Sequence, residues 1–157
     1  MSSDGSRVWR STFRILFRTV PHERMRKMRL NDPSVPIEEL VVRGRNSGLE
    51  RRLLVSFLRV GDAWYVGHPN GQEANWVRNL QRAGTATVVF RDGKEVSVVP
   101  VLLEDGPERD RAIEAAGAMP RPAGPIYRMG RAHIRAVGAY FRLDPADGPK
   151  GEGQSPS

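Results

Sequence analysis

The sequence predicts a mainly β fold of the α+β kind, an antiparallel sheet closing into a small barrel with helices over its ends. Apolar runs recur from Ile37 onward, and Gly61-Asp62 and Asp92-Gly93 join successive runs as hairpins. Sixteen glycines and 12 prolines among 157 residues supply the turns of a strand-rich chain. Within this strand region only two helical patterns occur, which argues against a doubly wound βαβ alternation.

The elements follow in order. From Arg7 to Val20, Trp9, Phe13, Leu16, Phe17 and Val20 share one helical face, with Arg7, Arg10, Arg14 and Arg18 beside it. Pro21 ends this amphipathic helix, and a short basic segment follows to Leu30. Two readings stand for the helix: it binds a membrane surface or lids a pocket, or it docks on its own domain with a solvated basic flank. Asn31 to Pro36, NDPSVP, is a linker. Leu40 to Val42 leads into the turn RGRNSG, Arg52 to Val60 carries the next apolar run, and Gly61-Asp62 turns it into Ala63 to Gly67. A helix is expected over Gln72 to Arg82, with Trp76, Asn79, Leu80 and Ala83 at helical spacing. Strands over Thr85 to Arg91 and Lys94 to Leu103 flank Asp92-Gly93. Pro107 to Ala118 reads as a helix with an N-terminal proline and an acidic first turn. A last strand is expected from about Ala132 to Leu143, and the Pro, Gly and Ser-rich tail beyond Asp144 is expected to be disordered. The chain thus divides into an N-terminal helical segment and linker (1–36), a barrel domain (37–144) and a tail (145–157).

Cysteine is absent, which excludes disulfides, thiol catalysis and Cys-ligated metal sites. His22, His68 and His133 match no zinc spacing, so no metal site is expected. No apolar run approaches the ~20 residues that span a bilayer, and no secretory signal opens the chain. A cytoplasmic protein is expected, resting at most on the inner face of the membrane through residues 7–20. The net charge of +7 points to an anionic partner. Most of the excess is N-terminal, where Arg7, Arg10, Arg14, Arg18, Arg24, Arg26, Lys27 and Arg29 face only Asp4 and Glu23. Nucleic acid is not expected, because the arginines are not interleaved with aromatics on one sheet face.

The chain has no GxGxxG after a strand, no GxxxxGK[ST] and no GxSxG elbow. Chemistry would therefore fall to a bound cofactor that the barrel orients. Two constellations suit that role. In RGRNSGLER, Asn46 and Gly48 allow a turn whose N–H groups form an anion nest, Ser47 adds a hydroxyl, and Arg45 and Arg51 add forked donors suited to phosphate. Downstream, His68-Pro69-Asn70-Gly71 opens as a polar loop into the helix that carries Trp76 and Asn79 on one face. Taken alone, the first is also a basic hairpin turn, and Trp76 is also a core anchor.

GRNSGLER followed by a strand, Tyr65-Val66 with a polar glycine-containing loop, and then WVRNLQRAG with a strand resembles the deazaflavin-dependent nitroreductase family of actinobacteria. The similarity runs from about Leu40 to Val101, with the final FRLDP in support. It implies a split β-barrel binding coenzyme F-420, an 8-hydroxy-5-deazaflavin with a phosphate and an oligoglutamate tail; FMN is the alternative. Arg45, Asn46, Ser47, Gly48 and Arg51 would border the phosphate and tail, and His68, Pro69, Asn70, Gly71, Trp76 and Asn79 the rest. The expected reaction is hydride transfer from the reduced cofactor to a small-molecule electron acceptor, a quinone, nitroaromatic or other activated unsaturated compound. Family members often carry Lys or Arg where this chain has Asn46, proline where it has Ala74-Asn75, and an aromatic where it has Val77. Tyr127 or Tyr140 would be the substrate-side tyrosines, Tyr127 within a loop, RPAGPIYRMG, that could act as a lid. The alternatives are a non-catalytic flavin, deazaflavin or haem carrier, and a basic membrane-surface module; a homodimer is compatible with each.

Overall fold

A hairpin begins the sheet. β1 (Ile37–Arg43) pairs antiparallel with β2 (Glu50–Ser56), Ile37 opposite Ser56 and Arg43 opposite Glu50, leaving residues 44–49 as the turn. The structure, a computed structural model, describes residues 3–19 and 22–146. Phe57 interrupts the second apolar run. Its N–H donates to the Pro36 carbonyl at 2.8 Å, and the chain resumes as β3 (Leu58–Val60), which turns into β4 (Ala63–His68). With β5 (Ala86–Val89), β6 (Glu95–Leu102) and β7 (Ala139–Pro145), the strand order is β2-β1-β5-β6-β7-β4-β3. Every neighbouring pair is antiparallel. The two edge strands, β2 and β3, are separated in the chain by Phe57 alone, so the sheet curls until its ends nearly meet. The result is a split barrel with flanking helices.

Period-2 alternation sorts side chains into two cores. Leu40 and Val42, Val66, Val88, Val98, Phe141 and Leu143 point into the barrel. Tyr65 and Tyr140, one position out of phase with Val66 and Phe141, point outward into a second core. Helix α3 (Asn75–Ala83), entered through a 3-10 turn at Gly71–Glu73, inserts Val77 and Leu80 into the barrel interior. The helix expected over Gln72 to Arg82 is thus two pieces, divided at Ala74.

The second core lies between the outer sheet face and α1 (Ser3–Thr19), α4 (Pro107–Gly117), α5 (Ala123–Met129) and α6 (Arg131–Val137). Phe13 of α1 is 0% exposed, its ring edge-on to Tyr127 at 5.2 Å and stacked on His133 at 6.0 Å. Burial of that ring is worth about 2–3 kcal/mol. Of the two readings of the N-terminal helix, docking on its own domain is the one observed. α2 (His22–Asn31) buries no residue and is tied down by Arg29, which reaches Glu38 at 3.2 Å and the Val89 carbonyl at 2.7 Å. Val20 and Pro21, where the sequence ends the first helix, lie outside the described residues, as does the tail from residue 147.

Two expectations are corrected. The last strand begins at Ala139 rather than Ala132, because Arg131, Ala132, Arg135 and Ala136 favour helix and the Gly138 N–H closes α6 on the Ile134 carbonyl at 2.7 Å. The lid-like loop RPAGPIYRMG is largely α5, and Tyr127 on it is buried at 5%.

Candidate functional site

The turn 44–49 is built by its own backbone. The Gly44 N–H donates to the Leu49 carbonyl at 2.8 Å, and the Gly48 N–H to the Gly44 carbonyl at 2.9 Å. Gly48 has φ +75, a left-handed value that suits glycine. Ser47 Oγ accepts the Leu49 N–H at 3.1 Å and Arg51 Nη2 at 3.3 Å, and Arg43 Nη1 donates to the Gly48 carbonyl at 2.6 Å. Arg43 therefore braces the turn.

Arg45 points the other way, to α3. Asn79 Oδ1 accepts both the Arg45 N–H at 3.1 Å and its Nη1 at 2.7 Å, while Asn75 receives the guanidinium through its carbonyl and its Oδ1, each at 3.4 Å. Arg78 Nη2 also donates to Asn75 Oδ1, at 2.6 Å. These bonds clamp the turn onto the first turn of α3, and a cavity of about 540 Å³ opens between them. It is lined by residues 44–47, 51–53, Asn75, Trp76 and Asn79. The lining holds Arg45, Arg51 and Arg52 and no carboxylate. At its back α3 begins at Ala74 with no side-chain cap, so the first helical N–H groups add a partial positive charge.

Six expected residues, Arg45, Asn46, Ser47, Arg51, Trp76 and Asn79, thus line one cavity, and Gly48 shapes its turn without lining it. His68, Pro69, Asn70 and Gly71 do not line it. That loop is packed beneath α1, where Asn70 is 2% exposed. Asn70 Nδ2 donates to the Arg10 carbonyl at 3.0 Å and to Glu73 Oε2 at 3.3 Å, and its Oδ1 lies 2.8 Å from His133 Nε2. Gly71 has φ +62, and a Cβ there would come within 2.0 Å of the Val137 carbonyl. Glu73 also takes Arg14 at 2.8 and 3.1 Å; these bonds, chiefly the one from Arg14, hold its carboxyl down to about 2.

His68 connects the two regions. Phe17 of α1 stacks on its ring at 4.8 Å, and Trp76 meets it edge-on at 6.4 Å. Burial lowers its pKa to about 4, so it is neutral at pH 7. Its Nδ1 accepts the Asn70 N–H at 3.1 Å, which places the ring proton on Nε2.

Tyr127 and Tyr140 both lie in the second core, burial pushes both phenols up, and neither lines the cavity. Trp64 packs with Phe57 and Phe90 at the far end of the β1–β2 hairpin. Sequence reasoning missed Asn75, Arg52, Phe17 and Glu73. Asn75 was findable, since it stands one helical turn before Asn79. The bond from Arg14 to Glu73 spans 59 positions and leaves no local pattern.

No protein-family model matches the chain, and no curated protein matches it. Solved structures do. The haem storage protein HutZ from Vibrio cholerae superposes with a TM-score of 0.55 at 15% identity, over 79% of this chain and 89% of that one. The F420-H2 dependent reductase FDR-A superposes with a TM-score of 0.55 at 20% identity, over 69% of this chain and 94% of its own. A protein of Listeria innocua assigned as a pyridoxamine 5'-phosphate oxidase gives 0.51 at 14%, over 76% and 91%. These likenesses define the class as a split-barrel fold.

Proposed function

We propose that the protein is an oxidoreductase that binds coenzyme F-420, with its phosphate and oligoglutamate tail in the Arg45 cavity, and passes a hydride to a quinone, nitroaromatic or other activated unsaturated acceptor. One observation carries the reading: Asn79 on Arg45 joins the GRNSGLER turn to the WVRNL helix. The donor set fits the cofactor's anionic end. Arg45, Arg51, the Ser47 hydroxyl and the start of α3 border a space whose lining has no carboxylate, while Arg52 on the same lining is paired with Glu39 at 3.3 Å, and guanidinium forks match phosphate and carboxylate oxygens.

Trp76 borders that cavity and begins a row of rings that continues to His68 and Phe17. Of that row Trp76 lines the cavity, and its indole is available to a planar ring whose charged end is held by Arg45 and Arg51. When bound, the reduced deazaflavin supplies the hydride. The chain's own residues bind the anionic end, orient the ring beside Trp76, and exclude water where α1 covers the His68 loop.

Split barrels include a structure described as a haem storage protein as well as an F420-H2 dependent reductase, so the donor set favours one cofactor where the fold does not. A second reading, binding of a deazaflavin, FMN or haem without turnover, is favoured by the burial of Tyr127 and Tyr140, which withdraws both hydroxyls from the cavity. The test is to titrate the protein with coenzyme F-420 and FMN, then to follow oxidation of the reduced deazaflavin with a quinone. Binding with turnover supports the first reading, binding without turnover supports the second, and no binding of either cofactor, or of haem titrated in parallel, at micromolar protein excludes both.

A further inference from the structure

A second cavity, of about 860 Å³, opens at the other end of the β1–β2 hairpin. Glu38 at the start of β1 lines it, whereas Gly44, six residues on, lines the Arg45 cavity; the two lie about 20 Å apart along the strand. The cavities share no lining residue.

The floor is a cluster of three rings. Phe57, Trp64 and Phe90 lie with centroids 5.4 to 5.5 Å apart and planes crossed at 53° to 85°. The Arg59 guanidinium covers Phe57 at 5.0 Å and Phe90 at 5.5 Å. The rim is fixed by Arg91, which donates to the carbonyls of Arg29 at 2.8 Å, Asp32 at 3.0 Å and Val35 at 2.6 Å and so holds the linker in place.

The charges left to a ligand are positive on balance, Arg59 and Lys94 against the exposed Asp92 carboxylate. Glu38 is 6% exposed and already carries Arg29 at 3.2 Å, with Arg59 at 3.7 Å. Asp92 Oδ1 caps the hairpin by accepting the Lys94 N–H at 2.9 Å. Glu38 is neutralised within the fold, whereas the exposed Asp92 keeps its charge beside Lys94. Lys94 makes no ion pair among the described residues, and Arg59 is half-exposed with only the distant oxygen of Glu38 as a counter-charge.

We propose that this cavity is a second ligand site, for a planar aromatic anion whose ring packs against Trp64 and whose carboxylate or sulfonate meets Arg59 and Lys94. The volume falls within the ~300–1,000 Å³ typical of small-molecule sites. Aromatic stacking with a forked cation at the edge suits a flat acid and disfavours a flat cation.

The test uses the full chain, native by circular dichroism, and 8-anilinonaphthalene-1-sulfonate as the fluorescent probe, with 2-naphthoate as competitor. The expected result is saturable probe binding that naphthoate displaces. Arg59→Ala or Lys94→Glu should weaken binding about fivefold or more, as expected for loss of one charge-assisted contact. Lys94 does not touch Glu38, so its variant probes the site without uncovering that buried acid. Arg45→Ala should leave probe affinity unchanged, which separates this site from the proposed cofactor site. The proposal is overturned if naphthoate fails to displace the probe, if both rim variants bind within fivefold of the parent, or if Arg45→Ala alone abolishes binding.

Discussion

The carboxamide oxygen of Asn79 holds Arg45 at two points, the backbone N–H at 3.1 Å and Nη1 at 2.7 Å. A residue at the bend of a hairpin is thereby locked to a helix 34 positions away, with its charge fixed before any ligand arrives. Pre-organisation of this kind lowers the ordering cost of binding.

Asn79→Asp keeps the acceptor geometry and adds a negative charge inside the cavity. Stability should change by no more than about 1 kcal/mol, while deazaflavin affinity should fall roughly 10- to 100-fold. Asn79→Ala removes the acceptor and leaves two donors unsatisfied, at a cost of about 1–3 kcal/mol. Urea unfolding together with calorimetric titration separates the two effects, and equal affinity in the Asp variant and the parent would remove Arg45 from the binding site.

Asn46 is an exposed residue on the cavity lining, where the resembling family often has a cation. Asn46→Lys should tighten deazaflavin binding by about three- to tenfold at low salt, with the gain shrinking as ionic strength rises. Equal affinities at low salt would mean that this turn does not cradle the anion.

Acid should weaken the fold in two overlapping steps. Burial lowers His68 to about 4 and also lowers His133, where the nearby Arg10 charge adds to the effect. Between pH 6.5 and 4 the unfolded chain binds protons at His68 that the native chain refuses, so stability falls as pH drops through that window, by on the order of 1–3 kcal/mol for His68. Glu73, held down to about 2, contributes stability present above its ordinary value of 4.5 and lost as pH falls toward 2. Urea midpoints measured from pH 7 to 3 should show both, and His68→Phe, which keeps a ring for Phe17 to stack on, should flatten the upper step.

Phe13 anchors α1 in the second core between Tyr127 and His133. Phe13→Ala should cost about 3–5 kcal/mol. Release of α1 should also speed tryptic cleavage at the arginines of residues 7–18 before the barrel is cut, as read by mass spectrometry of limited digests.

Much of this architecture is written locally. Asp92-Gly93 and Gly61-Asp62 marked their hairpins, and GRNSGLER with WVRNL marked both walls of the Arg45 cavity. Other features depend on partners remote in sequence. The expected last strand from about Ala132 to Leu143 took in α6, because a segment of seven residues is too short for its pattern to separate strand from helix before Gly138 is seen to close it. The His68 loop looked free for a ligand because its partners, Arg10, Arg14, Phe17 and His133, come from α1 and α6. Tyr127 looked like a lid residue because glycine and proline surround it, yet its ring meets Phe13 across 114 positions.

Calorimetric titration of coenzyme F-420 into the parent protein and into Arg51→Ala, with FMN as the parallel titrant, tests the central claim most directly. Arg51 lines the cavity and its side chain makes one hydrogen bond among the described residues, to Ser47, so its loss should leave the fold intact. The account predicts saturable one-site binding of the deazaflavin to the parent and at least tenfold weaker binding to the variant. Absence of heat at micromolar protein, or equal affinities for parent and variant, would contradict it.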